Sequence, residues 1–303
     1  LHETGRSLDR PWVLSINIGG PHFPHHVWPH LWEKYADHAD LPEHDVTCES
    51  ANHPVAAALR HHFRTPMFTE AQTRGLRRGY RGCVSMVDDL LGRLIATLDD
   101  LGLSDNTNLI YSSDHGDMVG KFGMWWKCSL YEDSARVPLI AAGPDFPAGG
   151  RAPTPVTLLD LQASLFRCVG ADRPADWPGE PLQDVSRDDA RRVAFSEYHG
   201  HGSPCASYLI RRGDWKLIYH VGAEHQLFNL ADDPNELENL ANRTPVKVEE
   251  LEAALREICD PEAEHERARR FQQQQARDLA QQGHDVYGEQ DEVVIPDDLR
   301  LDT

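Results

Sequence analysis

Three short runs of this 303-residue chain carry side chains that can hold an ion or move a proton. The first is Ser112-Ser113-Asp114-His115-Gly116-Asp117. Asp114 offers a hard anionic oxygen and His115 a neutral nitrogen, while Gly116 lets the backbone bend so that both reach one point. An Asx-turn closing a strand accounts for the same residues. The second run is Gly123-Met124-Trp125-Trp126-Lys127-Cys128-Ser129-Leu130-Tyr131-Glu132, ending at Arg136-Val137-Pro138. Lys127, between a tryptophan pair and a helix-like YEDSAR segment, can present a compact positive charge to an anionic ligand. A snorkelling surface lysine is the plainer alternative. The third is His22, fixed in Pro21-His22-Phe23-Pro24, where a lone loop histidine is more often structural than catalytic. His25, His26 and His30 nearby lack metal-ligand spacing on any regular element.

The elements that must position these residues are legible from periodicity. Residues 12–18 (WVLSINI), 108–113 (NLIYSS) and 137–142 (VPLIAA) are short apolar runs that predict buried strands. Thr69 is a candidate N-cap for a long helix from Glu70 to about Leu101, with Val87, Leu90, Leu91, Leu94, Leu98 and Leu101 on one stripe and Gly102 at its end. Strand, helix, strand at this spacing predicts an α/β domain with a mainly parallel sheet flanked by helices. Each of the three runs follows a predicted strand, where open parallel sheets bind their ligands. Residues 36–68 lack periodicity and read as a surface excursion, and 158–169 as an amphipathic helix closed by Gly170. From about residue 191 the pattern changes: VAFSEY predicts a strand, SYLIRRGDWKLIYHV a hairpin turning at Arg212-Gly213-Asp214, and Val248, Leu251, Leu255 and Ile258 a helix. The expected organisation is therefore an α/β domain over 1–190, a small antiparallel subdomain over 191–260, and a polar tail or helical arm over 261–303. Such an arm would reach a neighbouring copy in a homo-oligomer.

Composition narrows the partners. Forty-nine acidic against 30 basic residues give a net charge of −19, with no Lys/Arg block, which argues against nucleic acid and against an anionic membrane surface. No apolar run approaches the roughly 20 residues of a spanning helix. The six cysteines lack zinc-site spacing and read as free thiols. The chain opens on Leu1 and runs almost directly into 12–18, so a preceding segment is expected, and the cytoplasm is the expected compartment.

Taken together, the order strand-PHFP, long helix, strand-SDHGD, then G-x-WWK-x-S-x-YE-x-x-x-RVP resembles the later two thirds of a sulfatase, of the choline-sulfatase or arylsulfatase kind, in the alkaline phosphatase superfamily. The likeness covers roughly residues 11–242. The closing IRRGDWKLIYH and QLFNLADDPNELENLA are similar to that family's C-terminal subdomain, with Asn229 where the pattern usually has Asp. The resemblance implies an alkaline-phosphatase-like fold and hydrolysis of a small-molecule sulfate ester. It implies that Asp114 and His115 are ligands of a divalent metal, generally calcium, although imidazole in place of the commoner Asn also suits manganese. By the same likeness Lys127 holds a sulfate oxygen, His22 assists the leaving group, and Glu197-Tyr198-His199 faces the substrate. The aromatic residues Trp125, Trp126, Tyr198 and Tyr208 read either as recognition groups or as core. Sulfatases use a formylglycine made from Cys or Ser in C-x-P/A-x-R, and none of the six cysteines has that context. The nucleophile and the first pair of metal ligands are thus expected on the preceding segment. A phosphonate monoester or phosphodiester hydrolase, and a non-catalytic metal-binding relative, are the competing readings.

Overall fold

A computed structural model describes residues 11–65, 68–200 and 202–283. In chain order the principal elements are α1 (Pro29–Lys34), α2 (Pro54–His62), α3 (Glu70–Asp100), β1 (Leu109–Ser112), α4 (Glu132–Ala135), β2 (Leu139–Ala142), α5 (Leu158–Val169), β3 (Val193–Tyr198), β4 (Ser207–Arg212), β5 (Trp215–His220), β6 (Gln226–Asn229), α6 (Pro245–Ile258) and α7 (Pro261–Gln281). They fall into two compact units. One holds residues 1–41, 70–116 and 137–192; the other holds 42–69, 117–136 and 193–303.

In the first unit α3 is the organising element. Its last turn closes as the sequence predicts: Gly102 takes a φ of 64°, and the amide of Leu103 donates to the carbonyl of Leu98 at 2.9 Å. Along its N-terminal half, Gly79 and Gly82 let the segment that follows His22 lie directly on the helix. A Cβ at Gly79 would stand 2.6 Å from the carbonyl oxygen of His25, and one at Gly82 would stand 3.1 Å from the Val27 methyls. His25 Nδ1 bonds the Leu76 carbonyl at 3.2 Å, and Arg78 stacks over Trp32 at 4.3 Å. α5 begins with a capping box between Thr157 and Asp160 and ends at Gly170, φ 66°.

Two strand expectations change. β1 and β2 pair antiparallel, Leu109 with Ala142 and Ser112 with Leu139, where spacing alone suggested parallel strands. The chain between them contains a four-residue helix and no crossover helix laid on the sheet, which a parallel return would need. Residues 12–18 carry no strand: no ladder partner pairs with them among the described residues, and Val13, Leu14, Ile16 and Ile18 are exposed. A β-branched apolar run becomes a strand only where a neighbour completes its hydrogen bonds.

The second unit is built on a four-stranded antiparallel meander, β3-β4-β5-β6. Gly213, φ 57°, opens the two-residue turn between β4 and β5. The strands read as continuous apolar runs because the sheet is covered on both faces. Tyr208, Ile210, Leu217 and Leu227 pack with Leu251, Ala254 and Leu255 of α6. Leu209, Ile218 and Phe228 of the opposite face pack with Val55, Ala56 and Leu59 of α2 and with Met118, Phe122, Met124, Leu130 and Tyr131. Part of the 36–68 excursion is therefore core. Its signal was Pro54 at the first helical position, behind His53, whose ring caps the amide of Val55. Beyond α6, Pro261 starts α7; of the tail, residues 284–303 lie outside the described residues.

Candidate active site

Asp114 lies two residues past the end of β1, its side chain 84% exposed, with Oδ1 accepting the amide of His115 at 3.0 Å and the hydroxyl of Ser113 at 3.3 Å. Its Oδ2 lies 3.6 Å from His115 Nε2. His115 Nδ1 is 2.8 Å from the carbonyl oxygen of Gly116, which can only accept, so Nδ1 carries the proton and Nε2 the lone pair in the neutral ring. Partial burial works to raise the Asp114 carboxyl, but the neighbouring His115 and the hydrogen bonds from the backbone and Ser113 outweigh it and hold it below the ordinary carboxylate value. An ionised oxygen and an imidazole lone pair thus lie together at one strand end.

The loop before α1 supplies the third group. His22 donates from Nδ1 to the carbonyl of Phe23 at 2.7 Å, again leaving Nε2 with the lone pair in the neutral ring. Its ring stacks on Phe23 at 4.2 Å and stands 5.7 Å from the His115 ring in an edge-on arrangement. The peptide bonds before Pro21 and Pro24 are cis. Within the first unit the structure therefore brings His22, Asp114 and His115 together, as their positions after predicted strands suggested. Among the described residues no group of three or more His, Cys, Asp or Glu side chains is arranged to hold a metal ion. Asp114 and His115 nonetheless fit one as a pair, because the oxygen is ionised and the imidazole presents Nε2 with Nδ1–H anchored to a carbonyl.

Lys127, Glu197, Tyr198 and His199 belong to the second unit. Lys127 is half-buried and sits between Trp126 and Cys128, which both take left-handed backbone, φ 65° and 80°. Non-glycine residues hold that conformation only where their surroundings fix it. Trp125 is core, 3% exposed and edge-on to Phe68, and Tyr208 is fully buried, so two of the four candidate recognition aromatics are packing residues. Tyr198 lines a small, mainly apolar pocket with Cys128, Leu59, Ile218 and His220. Burial and the Cys128 contact raise its phenol; burial also raises the Cys128 thiol, against hydrogen bonding from Tyr198 and the charge of Lys127. His199 Nε2 lies 2.9 Å from Glu197 Oε2, and its carbonyl accepts from Gln272 of α7 at 2.9 Å.

Residue types alone did not disclose what Tyr131 and Glu132 do. The Tyr131 hydroxyl donates to the carbonyl of Ser50 and meets Gln226, while Glu132 takes Lys216 at 2.8 Å and Arg211 at 3.1 Å, both from the hairpin IRRGDWK. The two motif segments are thus the halves of one buried contact that fixes the Lys127 loop to the sheet. The available signal was Arg211 and Lys216, cross-strand neighbours that flank the apolar centres of β4 and β5.

An ionised oxygen with imidazole nitrogens at a strand end is a donor set suited to metal-assisted hydrolysis of an anionic ester. Comparison with known proteins gives the family. The sulfatase family model matches residues 1–171, and the model described as "N-sulphoglucosamine sulphohydrolase, C-terminal" matches residues 120–262. The chain belongs to the sulfatase family. It is 32% identical to arylsulfatase K of Xenopus laevis over 210 residues, 65% of this chain and 39% of that protein. It is 33% identical to choline-sulfatase of Rhizobium meliloti over 276 residues, 88% of this chain and 53% of that protein. Among solved structures, the phosphonate monoester hydrolase of Agrobacterium radiobacter matches with a TM-score of 0.68 at 24% identity, covering 86% of this chain and 58% of that one. A 2-O GAG sulfatase matches with a TM-score of 0.63 at 23% identity, covering 72% of this chain and 51% of its own. These neighbours carry the alkaline-phosphatase-like fold. The chain spans between about two fifths and half the length of the curated relatives described here. No helix among the described residues is long and apolar enough to cross a membrane.

Proposed function

We propose that the full protein hydrolyses the sulfate ester of a small molecule. The observation that supports this reading best is the meeting of His22 with Asp114 and His115 at one strand end, rings 5.7 Å apart, in a chain of the sulfatase family. Asp114 and His115 would hold a divalent metal, calcium by family resemblance or manganese by the imidazole; bound, it supplies Lewis-acid polarisation of sulfate oxygens. The chain's own residues do the rest. The Lys127 ammonium offsets charge on a non-bridging sulfate oxygen as it accumulates. His22, with Nδ1–H anchored to the Phe23 carbonyl, gives up a proton from Nε2 of its imidazolium to the leaving oxygen, which helps expel an alkoxide. The Glu197–His199 pair faces the substrate. The nucleophile, a formylglycine by resemblance, is none of the six cysteines of this chain, because none stands in C-x-P/A-x-R.

His115, where sulfatases commonly have Asn, favours one second reading: a phosphonate monoester or phosphodiester hydrolase on the same scaffold. A sulfate monoester, a phosphonate monoester and a phosphodiester each carry a single negative charge at neutral pH, so charge does not separate the readings and turnover decides. The full-length protein should hydrolyse an aryl sulfate with a larger kcat/KM than the matching aryl phosphonate, and lose that activity on chelation with recovery on adding calcium or manganese. A larger kcat/KM for the phosphonate would replace the first reading with the second. No metal-dependent turnover of either ester would remove both.

A further inference from the structure

The loop carrying Lys127 is irregular and strained, and one side chain closes it. Between Asp117 and Ser129 the non-glycine residues Val119, Phe122, Trp126 and Cys128 all take left-handed backbone, with φ of 46°, 55°, 65° and 80°. Such a path does not hold itself. The backbone of Met118 donates to the Trp126 carbonyl at 2.7 Å, which brings the two ends of the loop alongside each other. On the same rung, Asp117 Oδ1 accepts two backbone amides, Val119 at 2.9 Å and Trp126 at 3.0 Å. The first fixes the turn leaving Asp117. The second reaches across the loop to the residue immediately before Lys127. Below them Met118 is 1% exposed and Trp125 3%, so the clamp rests on packed core.

We propose that Asp117 is the positioning residue for Lys127: its Oδ1 ties Val119 and Trp126 together and so holds the Lys127 backbone in the one register that aims its ammonium. This inference rests on the proposed role of Lys127. It assigns Asp117 a duty different from that of Asp114 three residues earlier. Asp114 offers its carboxylate outward, whereas Asp117 turns an oxygen onto its own loop. Both amides converge on a single oxygen, and one oxygen has two lone pairs. A neutral amide of the same shape can therefore make both bonds, so the clamp depends on oxygen position more than on charge.

That property sets the test. In the full-length protein, kcat and KM for an aryl sulfate are measured for wild type, Asp117→Asn, Asp117→Glu, Asp117→Ala, Lys127→Ala and the Asp117→Ala/Lys127→Ala double variant, alongside amide hydrogen exchange at Val119 and Trp126. Asp117→Asn should stay within about threefold of wild type in kcat/KM, whereas Asp117→Ala should lose on the order of 100-fold, the scale of a displacement of about 1 Å. Asp117→Glu keeps the charge but moves the oxygen by a methylene and should fall well below Asp117→Asn; this comparison decides even where Asp117→Ala does not fold. In a Lys127→Ala background, Asp117→Ala should cost less than about threefold, because the group it aims is gone. Exchange at Val119 and Trp126 should quicken in the Ala variant and not in the Asn variant. Asp117→Glu outperforming Asp117→Asn, or losses at 117 and 127 that multiply, would overturn the assignment in favour of a charge or ligand role. If wild type turns over no sulfate ester, the functional reading fails while the exchange arm still decides the clamp: unchanged exchange in Asp117→Ala refutes it outright.

Discussion

Replacing Lys216 by methionine should destabilise the full chain by about 3–5 kcal/mol, the usual cost of removing one partner from a buried ion pair. Lys216 is fully buried, with Nζ 2.8 Å from Glu132 Oε1 and 2.7 Å from Glu236 Oε1. At an effective dielectric of about 20, each contact is a gross attraction of about 6 kcal/mol, most of which offsets the removal of three charges from water. The two carboxylates are not equivalent. Burial raises Glu132, but Lys216, Arg211 and Arg136 together bring it below its ordinary value. Glu236 is raised, since burial outweighs the share of the ammonium it receives and Glu132 repels it. With methionine at 216, Glu132 retains Arg211 at 3.1 Å, whereas Glu236 is left with the Glu132 amide, 2.7 Å from its Oε2, as its remaining hydrogen bond of those described. The penalty should therefore sit on Glu236. A carboxyl whose folded value is raised destabilises the fold above that value and stops doing so as pH falls through it toward the unfolded 4.5, so the gap between wild type and variant should narrow on acidification. Urea unfolding followed by tryptophan fluorescence at several pH values measures that gap, and adding Glu236→Gln should close at least half of it. A Lys216→Met variant within 1 kcal/mol of wild type at pH 7, or a gap indifferent to Glu236→Gln, would refute the reasoning.

Two further outcomes follow from the first unit. Gly79→Ala should lower stability by about 1–2 kcal/mol and reduce turnover, because a Cβ would meet the His25 carbonyl at 2.6 Å and push the segment next to His22, outweighing the roughly 1 kcal/mol of helix propensity gained. Gly92→Ala on the same helix, with nothing within 4 Å, should instead raise the melting temperature, and a comparable loss at both positions would contradict the packing argument. Asp40 is held at about 2: partial burial works upward, and hydrogen bonds from Arg77 and Arg81 more than reverse it. Its contribution is complete above the ordinary 3.8 and lost as pH falls from there through about 2; solvent screening of the half-exposed carboxylate limits it to about 1 kcal/mol. Acid titration of stability should accordingly be shallower over that window in Asp40→Asn, and an unchanged slope would show that the arginines contribute nothing there.

The parts of this chain that sequence disclosed are those whose signals are local. α3 and α5 each combine an apolar stripe with a glycine stop that adopts positive φ, Gly102 and Gly170, and the β4–β5 hairpin has its glycine at the turn. Asp114 and His115 stood out because such residues just past a strand are unusual, whereas His22 lies beside the His115 ring, 5.7 Å away, although the strand expected before it does not form. What escaped needed a partner far along the chain. The direction of β2 depends on the path of 26 intervening residues, and the helix of Val55, Ala56 and Leu59 is buried by a sheet that begins about 130 residues later. Asp117 escaped for a different reason. Its position beside Asp114 and His115 gives it no role of its own, and the two amides on its Oδ1 separate an oxygen offered outward from one turned onto its own loop. Two aspartates three residues apart can thus carry unlike duties, and variants that swap charge for shape at each position tell them apart: on the proposed roles an amide should fail at Asp114, where a metal would need an ionised oxygen, and serve at Asp117, where the oxygen's position holds the two amides.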